Sequence, residues 1–187
     1  MAQYGFYFDQ TRCTGCLTCI IACKDWHEYD LGAEPEDWIK VSTIEKGKFP
    51  ELFVAYLMRP CYQCSHPACL DACPVSAIVK REEDGIVTVD RETCLGEDSC
   101  GLCLEACYYQ VPAFGPEPDK KMQKCDLCLE RWSESKPPIC VAACPMRALD
   151  AGSFDELQAK YGDIREGEGF TCFAELEPSI VFKPKLR

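Results

Sequence analysis

The cysteines of this sequence have a number and a spacing that suit metal binding or redox chemistry. The chain has 187 residues, of which 17 are Cys, and this lies in the range of roughly 8–10% that marks a scaffold built on its cysteines. Sixteen of them fall into four groups of four. In chain order the groups are Cys13, Cys16, Cys19 and Cys23; Cys61, Cys64, Cys69 and Cys73; Cys94, Cys100, Cys103 and Cys107; and Cys125, Cys128, Cys140 and Cys144. Because each group ends in a C-x3-C spacing, the four groups are repeats of one pattern.

The spacing inside the groups is typical of ligands to cubane iron–sulfur clusters. The first group reads C-x2-C-x2-C-x3-C, and three thiolates at that spacing can wrap one cluster while the fourth Cys ligates a neighbouring cluster. Two such runs then exchange their fourth ligands. Four runs supply sixteen thiolates, which predicts four 4Fe–4S clusters. Cys172 is expected to be a free thiol, with a role as replacement ligand as the alternative.

Two other uses of the cysteines are weaker alternatives. Zinc sites join C-x2-C pairs across a loop, but they require neither three thiols at this spacing nor the Pro that follows Cys73 and Cys144. Disulfides are disfavoured because the chain starts without a basic region or a long apolar stretch, so we expect it to fold in the reducing cytoplasm. Since every group is complete, His27 and His66 are expected to lie on the surface or to contact the ligands from outside.

The composition argues against two classes of function. Asp and Glu number 31 against 20 Lys and Arg, for a net charge of −11, so the positive footprint of a nucleic-acid-binding protein is missing. The longest apolar run covers residues 52–58, whereas a membrane helix needs roughly 18 apolar residues. We therefore expect no nucleic-acid partner and no direct membrane span. Eight basic residues lie close to the Cys groups in sequence, and they are Lys24, Lys80, Arg81, Lys120, Lys121, Lys124, Arg131 and Arg147. Most of them are expected to be solvated, with the alternative that some offset the charge of the clusters and tune their potential.

Short strands and turns must position the Cys groups. A strand at residues 4–8 leads into the first group, and a hairpin that turns at Asp84-Gly85 joins the contiguous second and third groups. The first and fourth groups must close around that pair. The predicted fold is therefore α+β, with two interleaved two-cluster ferredoxin-like units, an inserted hairpin region and an extended C-terminal tail. The predicted segments are 1–26 with 113–150 for the first ferredoxin-like unit, 27–59 for the insertion, 60–112 for the second unit, and 151–187 for a C-terminal helix and tail.

The insertion and the C-terminal segment carry their own local signals. The insertion contains strand-like stretches at residues 38–44 and 52–58 around a turn at Gly47. In the last segment, Ser153 begins a capping-box pattern and Gly162 ends the helix. The tail that follows is rich in Gly and Glu and has little core of its own, so we expect it to lie on a partner protein, with a loosely ordered tail as the alternative.

Five motifs spread over most of the chain carry a family resemblance. They are Tyr4-Gly5-Phe6, Cys13-Thr14-Gly15-Cys16, Cys125-Asp126-Leu127-Cys128, Lys136-Pro137-Pro138-Ile139-Cys140 and Cys144-Pro145-Met146-Arg147-Ala148-Leu149. With them the sequence resembles the iron–sulfur electron-transfer subunit of the dimethyl sulfoxide reductase family of molybdopterin oxidoreductases. The resemblance implies a non-catalytic subunit that transfers electrons between a membrane quinone or anchor, or another redox partner, and a large catalytic subunit holding a molybdenum or tungsten bis-pterin. It also implies a membrane-associated complex, which some members reach by export while bound to a signal-bearing partner.

The resemblance further implies which cysteines share a cluster, and we call each such set of four a quartet. Quartet 1 is Cys13, Cys16, Cys19 and Cys144; quartet 2 is Cys23, Cys125, Cys128 and Cys140; quartet 3 is Cys61, Cys64, Cys69 and Cys107; and quartet 4 is Cys73, Cys94, Cys100 and Cys103. In the family, the first cluster faces the pterin subunit and the last faces the membrane anchor.

The third Cys group departs from the family pattern. Its first gap, from Cys94 to Cys100, is five residues instead of the usual two, and Tyr108 stands where the pattern has a Pro. Because both changes fall on the anchor-facing unit, we predict that the electron donor differs from the usual quinol-oxidising anchor. The alternative functions are a free-standing polyferredoxin that carries electrons between soluble partners, and a zinc scaffold that only mediates assembly.

Overall fold

The computed structural model describes residues 2–28, 37–115 and 120–187, and these form a mixed α+β fold. Parts of two predicted segments, residues 29–36 of the insertion and 116–119 of the first unit, lie outside the described residues. The strands are β1 (Tyr4–Asp9), β2 (Lys40–Lys46), β3 (Phe53–Arg59), β4 (Ile78–Lys80), β5 (Val87–Val89), β6 (Ala113–Phe114), β7 (Met122–Gln123), β8 (Leu149–Ser153) and β9 (Ile180–Lys183). The helices are α1 (Thr18–His27), α2 (Ala68–Asp71), α3 (Leu102–Ala106), α4 (Leu129–Ser133), α5 (Ile139–Ala143) and α6 (Phe154–Tyr161).

A three-stranded sheet in the order β8-β1-β9 joins the two ends of the chain. The central strand β1 pairs antiparallel with β8 and parallel with β9. Both faces of β1 are covered, because Tyr7 packs towards Leu157 of α6 while Phe6 and Phe8 enter the main core. A strand that is buried on both faces needs an almost continuous apolar sequence, and residues 4–8 supply it.

The C-terminal tail corrects one prediction. We expected it to lie on a partner, but Ile180 and Phe182 have no exposed surface and pack in the main core of this protein. The cause is the otherwise open edge of β1, whose backbone groups need partners and find them in β9 with the register Phe6 to Ile180 and Phe8 to Phe182. The tail is therefore part of the fold in this region.

Two local predictions are confirmed. The insertion forms an antiparallel hairpin of β2 and β3 with Gly47 in a left-handed conformation (φ 87°) at its turn. The helix α6 begins after Ser153, whose hydroxyl accepts a hydrogen bond from the amide of Glu156, and it ends at Gly162. Both elements are set by residues close together in sequence, which is why their patterns were readable.

The remaining strands form two short hairpins next to the Cys groups. β4 and β5 pair antiparallel between the second and third groups, with Gly85 (φ 69°) at the turn as predicted. β6 and β7 pair between the third and fourth groups. Each hairpin thus connects the exit of one Cys group with the start of the next.

Candidate metal centres

In each Cys group the third Cys lies in a helix. Cys69, Cys103 and Cys140 lie in the helices α2, α3 and α5, and the last Cys of each of these groups follows at the helix end or within two residues of it. In the first group the longer helix α1 contains both Cys19 and Cys23. The C-x3-C spacing therefore spans about one helical turn, which separates the last thiol from the preceding one.

The loop at the start of each group has a feature that the sequence analysis missed. The residue two positions after the first Cys is left-handed in all four groups, and these residues are Gly15 (φ 67°), Gln63 (φ 48°), Gly96 (φ 81°) and Leu127 (φ 61°). Only two of the four are Gly, so no residue type marks the position. The shared conformation makes each loop curl, as expected for a backbone that wraps a cluster.

The exits from three groups also share one turn. Ser76, Gln110 and Arg147, each three residues after the last Cys of its group, have φ between 50° and 53°. The amides of Ala77 and Ala148 then point at the thiols of the preceding Cys, at 3.2 Å from Cys73 Sγ and 3.4 Å from Cys144 Sγ. The third group makes the same turn although Tyr108 replaces the Pro, because Gln110 has the same left-handed conformation.

Two cavities, each of about 30 Å³, are lined by four thiols from two different Cys groups. One cavity is lined by quartet 1, that is by Cys13, Cys16, Cys19 and Cys144. The other is lined by quartet 3, that is by Cys61, Cys64, Cys69 and Cys107. The rest of each wall is almost entirely apolar, including Phe8 and Met58 in the first cavity and Val87 and Val111 in the second.

The thiols of quartet 2 lie close enough together to shift one another's pKa. Burial raises the pKa of Cys140, and the nearby thiols of Cys128 and Cys23 add to the rise. Burial likewise raises the pKa of Cys125, with Cys23 and Cys140 adding to it. The structure thus brings together four thiols that the sequence separates by as many as 117 positions, from Cys23 to Cys140.

Three thiols of quartet 4 belong to or pack against a second buried cluster, which is separate from the main core. Burial raises the pKa of Cys103 to about 11, and the thiols of Cys94 and Cys100 contribute. Cys73 and Cys94 both pack against this cluster, which also contains Cys69 and Cys103.

The donor set fits iron–sulfur clusters. All 17 cysteines lie among the described residues and none forms a disulfide there. Burial raises the pKa of Cys69 to about 12 and that of Cys19 to about 11, and neighbouring thiols add to both shifts. Buried thiols of this kind ionise only when a cation compensates for the lost solvation, and a bound metal does so by displacing the protons. The quartets would therefore hold the irons as thiolates, and the clusters would supply the redox couple.

The two histidines differ in their surroundings. His66 is on the surface, as expected, 3.9 Å from a carboxylate oxygen of Glu177. His27 contacts a predicted ligand, since its Nε2 lies 3.3 Å from Cys128 Sγ. Because a thiolate can only accept, Nε2–H would donate this hydrogen bond when Cys128 binds iron.

The basic residues near the Cys groups are less solvated than predicted. Only Arg147 of the eight is exposed, and Lys124 and Arg131 are buried. Arg131 donates to the carbonyl of Pro137 and lies over the ring of Trp26, 4.4 Å from its centre. The sequence pattern could not separate these residues from surface lysines, because burial here depends on contacts between distant segments.

The pKa of Cys172 is shifted by different neighbours from those of the quartet thiols. It is partly buried and packs against the main core. Burial raises its pKa, Arg165 opposes the rise and Glu166 adds to it, with no other thiol among the causes.

Comparison with known proteins places this protein in a class. A family profile described as "4Fe-4S dicluster domain" matches residues 52–154. Among the described residues, no helix is long and apolar enough to cross a membrane. The protein therefore contains a domain of the 4Fe-4S dicluster class.

Relatives that match over most of this protein define the family more closely. The sequence is 42% identical over 190 residues to the B subunit of the anaerobic dimethyl sulfoxide reductase of Escherichia coli K12, covering 97% of this protein and 89% of the relative. It is 40% identical, with the same coverage, to YnfG of the same strain, a probable anaerobic dimethyl sulfoxide reductase subunit. Protein NrfC of that strain is 33% identical over 166 residues, covering 87% of this protein and 70% of the relative. This protein belongs to the family of iron–sulfur subunits that includes the B subunit of dimethyl sulfoxide reductase.

Proposed function

We propose that this protein is a non-catalytic electron-transfer subunit that carries four 4Fe–4S clusters in quartets 1 to 4. One observation carries the proposal: two apolar cavities are each lined by four thiols drawn from two separate Cys groups. Cross-ligation of this kind is what paired ferredoxin-type runs produce. In quartet 2 the thiol of Cys140 is near those of Cys23 and Cys128, and Cys125 is near Cys23 and Cys140. Cys19 of quartet 1 and Cys61 of quartet 3 also lie near this set, as expected for neighbouring clusters. In quartet 4, Cys73, Cys94 and Cys103 share one buried cluster.

The proposed architecture is two interleaved two-cluster units. Support for the first unit comes from β1, which precedes the first Cys group and pairs with β8, which follows the fourth. The helix α1 also packs on α5. Support for the second unit comes from the β4–β5 hairpin and from the packing of α2 on α3.

The proposed partner is a large catalytic subunit that holds a molybdenum or tungsten bis-pterin. It is supported by the names of the relatives, which are subunits of anaerobic dimethyl sulfoxide reductases. In this proposal the complex is membrane-associated, the protein folds in the cytoplasm, and it reaches its site bound to a partner, which carries the signal if the complex is exported. The lengthened loop from Cys94 to Cys100 favours an electron donor other than the usual quinol-oxidising anchor.

Native purification under anaerobic conditions tests the whole proposal. Co-elution with a large subunit containing molybdenum or tungsten, together with about sixteen irons per copy of this protein, is expected. A stable solitary protein with the same iron content would instead favour the free-standing polyferredoxin. Zinc in place of iron and acid-labile sulfide would exclude both.

A pair of variants tests the quartet assignment. Cys16→Ser and Cys144→Ser lie 128 positions apart, but both remove a ligand from quartet 1, so each should abolish or convert the same cluster signal in electron paramagnetic resonance (EPR) spectra. Cys172→Ser is the control and should retain the full iron content. Loss of two different signals in the two Cys→Ser variants would contradict the cross-ligation.

A further inference from the structure

Lys124 is a buried lysine at the boundary between two quartets. It precedes Cys125 of quartet 2 directly and is only 3% exposed. Its Nζ donates to the carbonyl of Val87 and, at 3.1 Å, to the carbonyl of Cys125. Val87 in turn lines the cavity of quartet 3. The ammonium group is thus held between backbone that carries a quartet 2 thiol and backbone that forms the wall of quartet 3.

Gln63 contacts the same two residues as Lys124. The hydrogen bonds among Lys124, Val87, Gln63 and Cys125 therefore form a closed set, which we call the ring. Gln63 has no exposed surface, its Nε2 donates to the same Cys125 carbonyl at 3.0 Å, and its Oε1 accepts from the amide of Val87 at 2.8 Å. Gln63 also stands between Cys61 and Cys64 of quartet 3 in the sequence. Because Lys124 and Gln63 share both backbone partners, the position of the ammonium group is fixed.

Among the described residues, no carboxylate forms an ion pair with Lys124, whose hydrogen-bond acceptors are two backbone carbonyls. A buried charge without a partner is strongly unfavourable. The negative charge that would balance Lys124 is that of the clusters, each about −2 with its four thiolates.

We propose that Lys124 sets the reduction potentials of the two clusters held by quartets 2 and 3, and that Gln63 positions it. Reduction adds one electron to a cluster and makes it more negative, so a fixed positive charge nearby stabilises the reduced form and raises the potential. Transfer between the two clusters moves one electron, breaks no bond and needs no proton. Lys124 thus makes the clusters of quartets 2 and 3, the two in the middle of the series from quartet 1 to quartet 4, easier to reduce. This inference rests on the proposed function, because it requires clusters in both quartets.

Redox titration of the holoprotein, followed by EPR, tests the proposal with charge-changing variants. Lys124→Met should lower the ratio of reduced to oxidised cluster about tenfold at a fixed potential for two of the four clusters, which is about 59 mV for a one-electron couple. The other two clusters should shift less, since the field falls with distance. Lys124→Arg keeps the charge and should restore the potentials. Lys160→Met removes the same charge from a surface side chain that is 62% exposed and should shift none of them.

A second variant covers the case in which Lys124→Met fails to assemble. Gln63→Glu keeps the shape of the ring but places a negative charge beside the ammonium group, so it should lower the potentials of the same two clusters. Unchanged potentials in an iron-replete Lys124→Met or Gln63→Glu protein, or an equal shift of all four clusters, would overturn the proposal. Absence of iron–sulfur signals from the wild-type holoprotein would instead refute the proposed function.

Discussion

Replacement of Gly15 by Ala should destabilise the loop that carries Cys13 and Cys16. Gly15 has a left-handed backbone (φ 67°), and a Cβ atom at this position would lie 2.6 Å from Cδ1 and 2.7 Å from Cζ of the Tyr56 ring. Real Cβ atoms do not approach other atoms so closely, so either the ring or the loop must move. The same loop forms part of the cavity of quartet 1, which links a stability effect to cluster content.

The expected magnitude follows from two terms. A left-handed conformation costs a residue other than Gly about 1–2 kcal/mol, and an overpacked site costs about 1–3 kcal/mol. Together they predict a loss of about 2–5 kcal/mol, which for a protein of this size lowers the melting temperature by an amount on the order of 10 °C. Leu127 and Gln63 show that the conformation alone is tolerated at equivalent positions, so the contact with Tyr56 is the term that distinguishes Gly15.

Gly101 provides a matched control, because it also lies inside a Cys group. Its φ is −128°, and a Cβ there would meet no atom within 4 Å, so Gly101→Ala should change stability by about 1 kcal/mol or less. Thermal unfolding of the holoprotein and its iron content are the measurements. In a Tyr56→Ala background, the effect of Gly15→Ala should fall to the backbone term alone. Equal effects of the two Gly variants, or no coupling with Tyr56, would refute the reasoning.

Two further predictions concern the tail and the ligand environment. Phe182→Ala should lower the free energy of unfolding by about 3–5 kcal/mol, because Phe182 is fully buried, whereas Leu186→Ala, at a side chain 81% exposed, should change it by about 0.5 kcal/mol or less; similar losses in chemical denaturation would contradict the core role of the tail. His27→Phe should lower the reduction potential of the cluster bound by Cys128, since it removes a hydrogen bond to the thiolate sulfur that stabilises the reduced state. His66→Phe should leave that potential unchanged in the same redox titration, and an equal shift in both would argue against the contact.

Features set by neighbouring residues could be predicted from the sequence. The hairpin at Gly47, the hairpin at Gly85 and the helix after Ser153 all formed where their local signals indicated. The four Cys groups were readable for the same reason, because a thiol spacing directly reports how the backbone must curl. The family assignment followed from the same motifs and is confirmed by the relatives.

Features that depend on distant contacts could not be predicted. The pairing of β9 with β1 joins residues more than 170 positions apart. A strand of four residues has too weak a sequence pattern to predict which strand it pairs with. The burial of Lys124 and Gln63 likewise depends on Val87, which belongs to another segment. Sequence position placed Lys124 near the cysteines but could not show that it lies inside the protein.

The lengthened loop of the third Cys group shows how a departure from the family pattern can keep the local backbone conformation and still change the surface. Gly96 keeps the left-handed conformation found at this position in the other groups, and its carbonyl accepts from the amide of Cys100 at 2.9 Å. The additional residues project outward, where Glu97 and Asp98 are exposed and Asp98 pairs with Lys120 at 2.9 Å. The change adds acidic surface beside quartet 4 and keeps the left-handed turn that begins the Cys group. We therefore expect it to alter which redox partner docks there, and not whether a cluster binds. Shortening the gap to two residues should therefore preserve the iron content and change the rate of reduction by candidate donors, and loss of a cluster on shortening would contradict this interpretation.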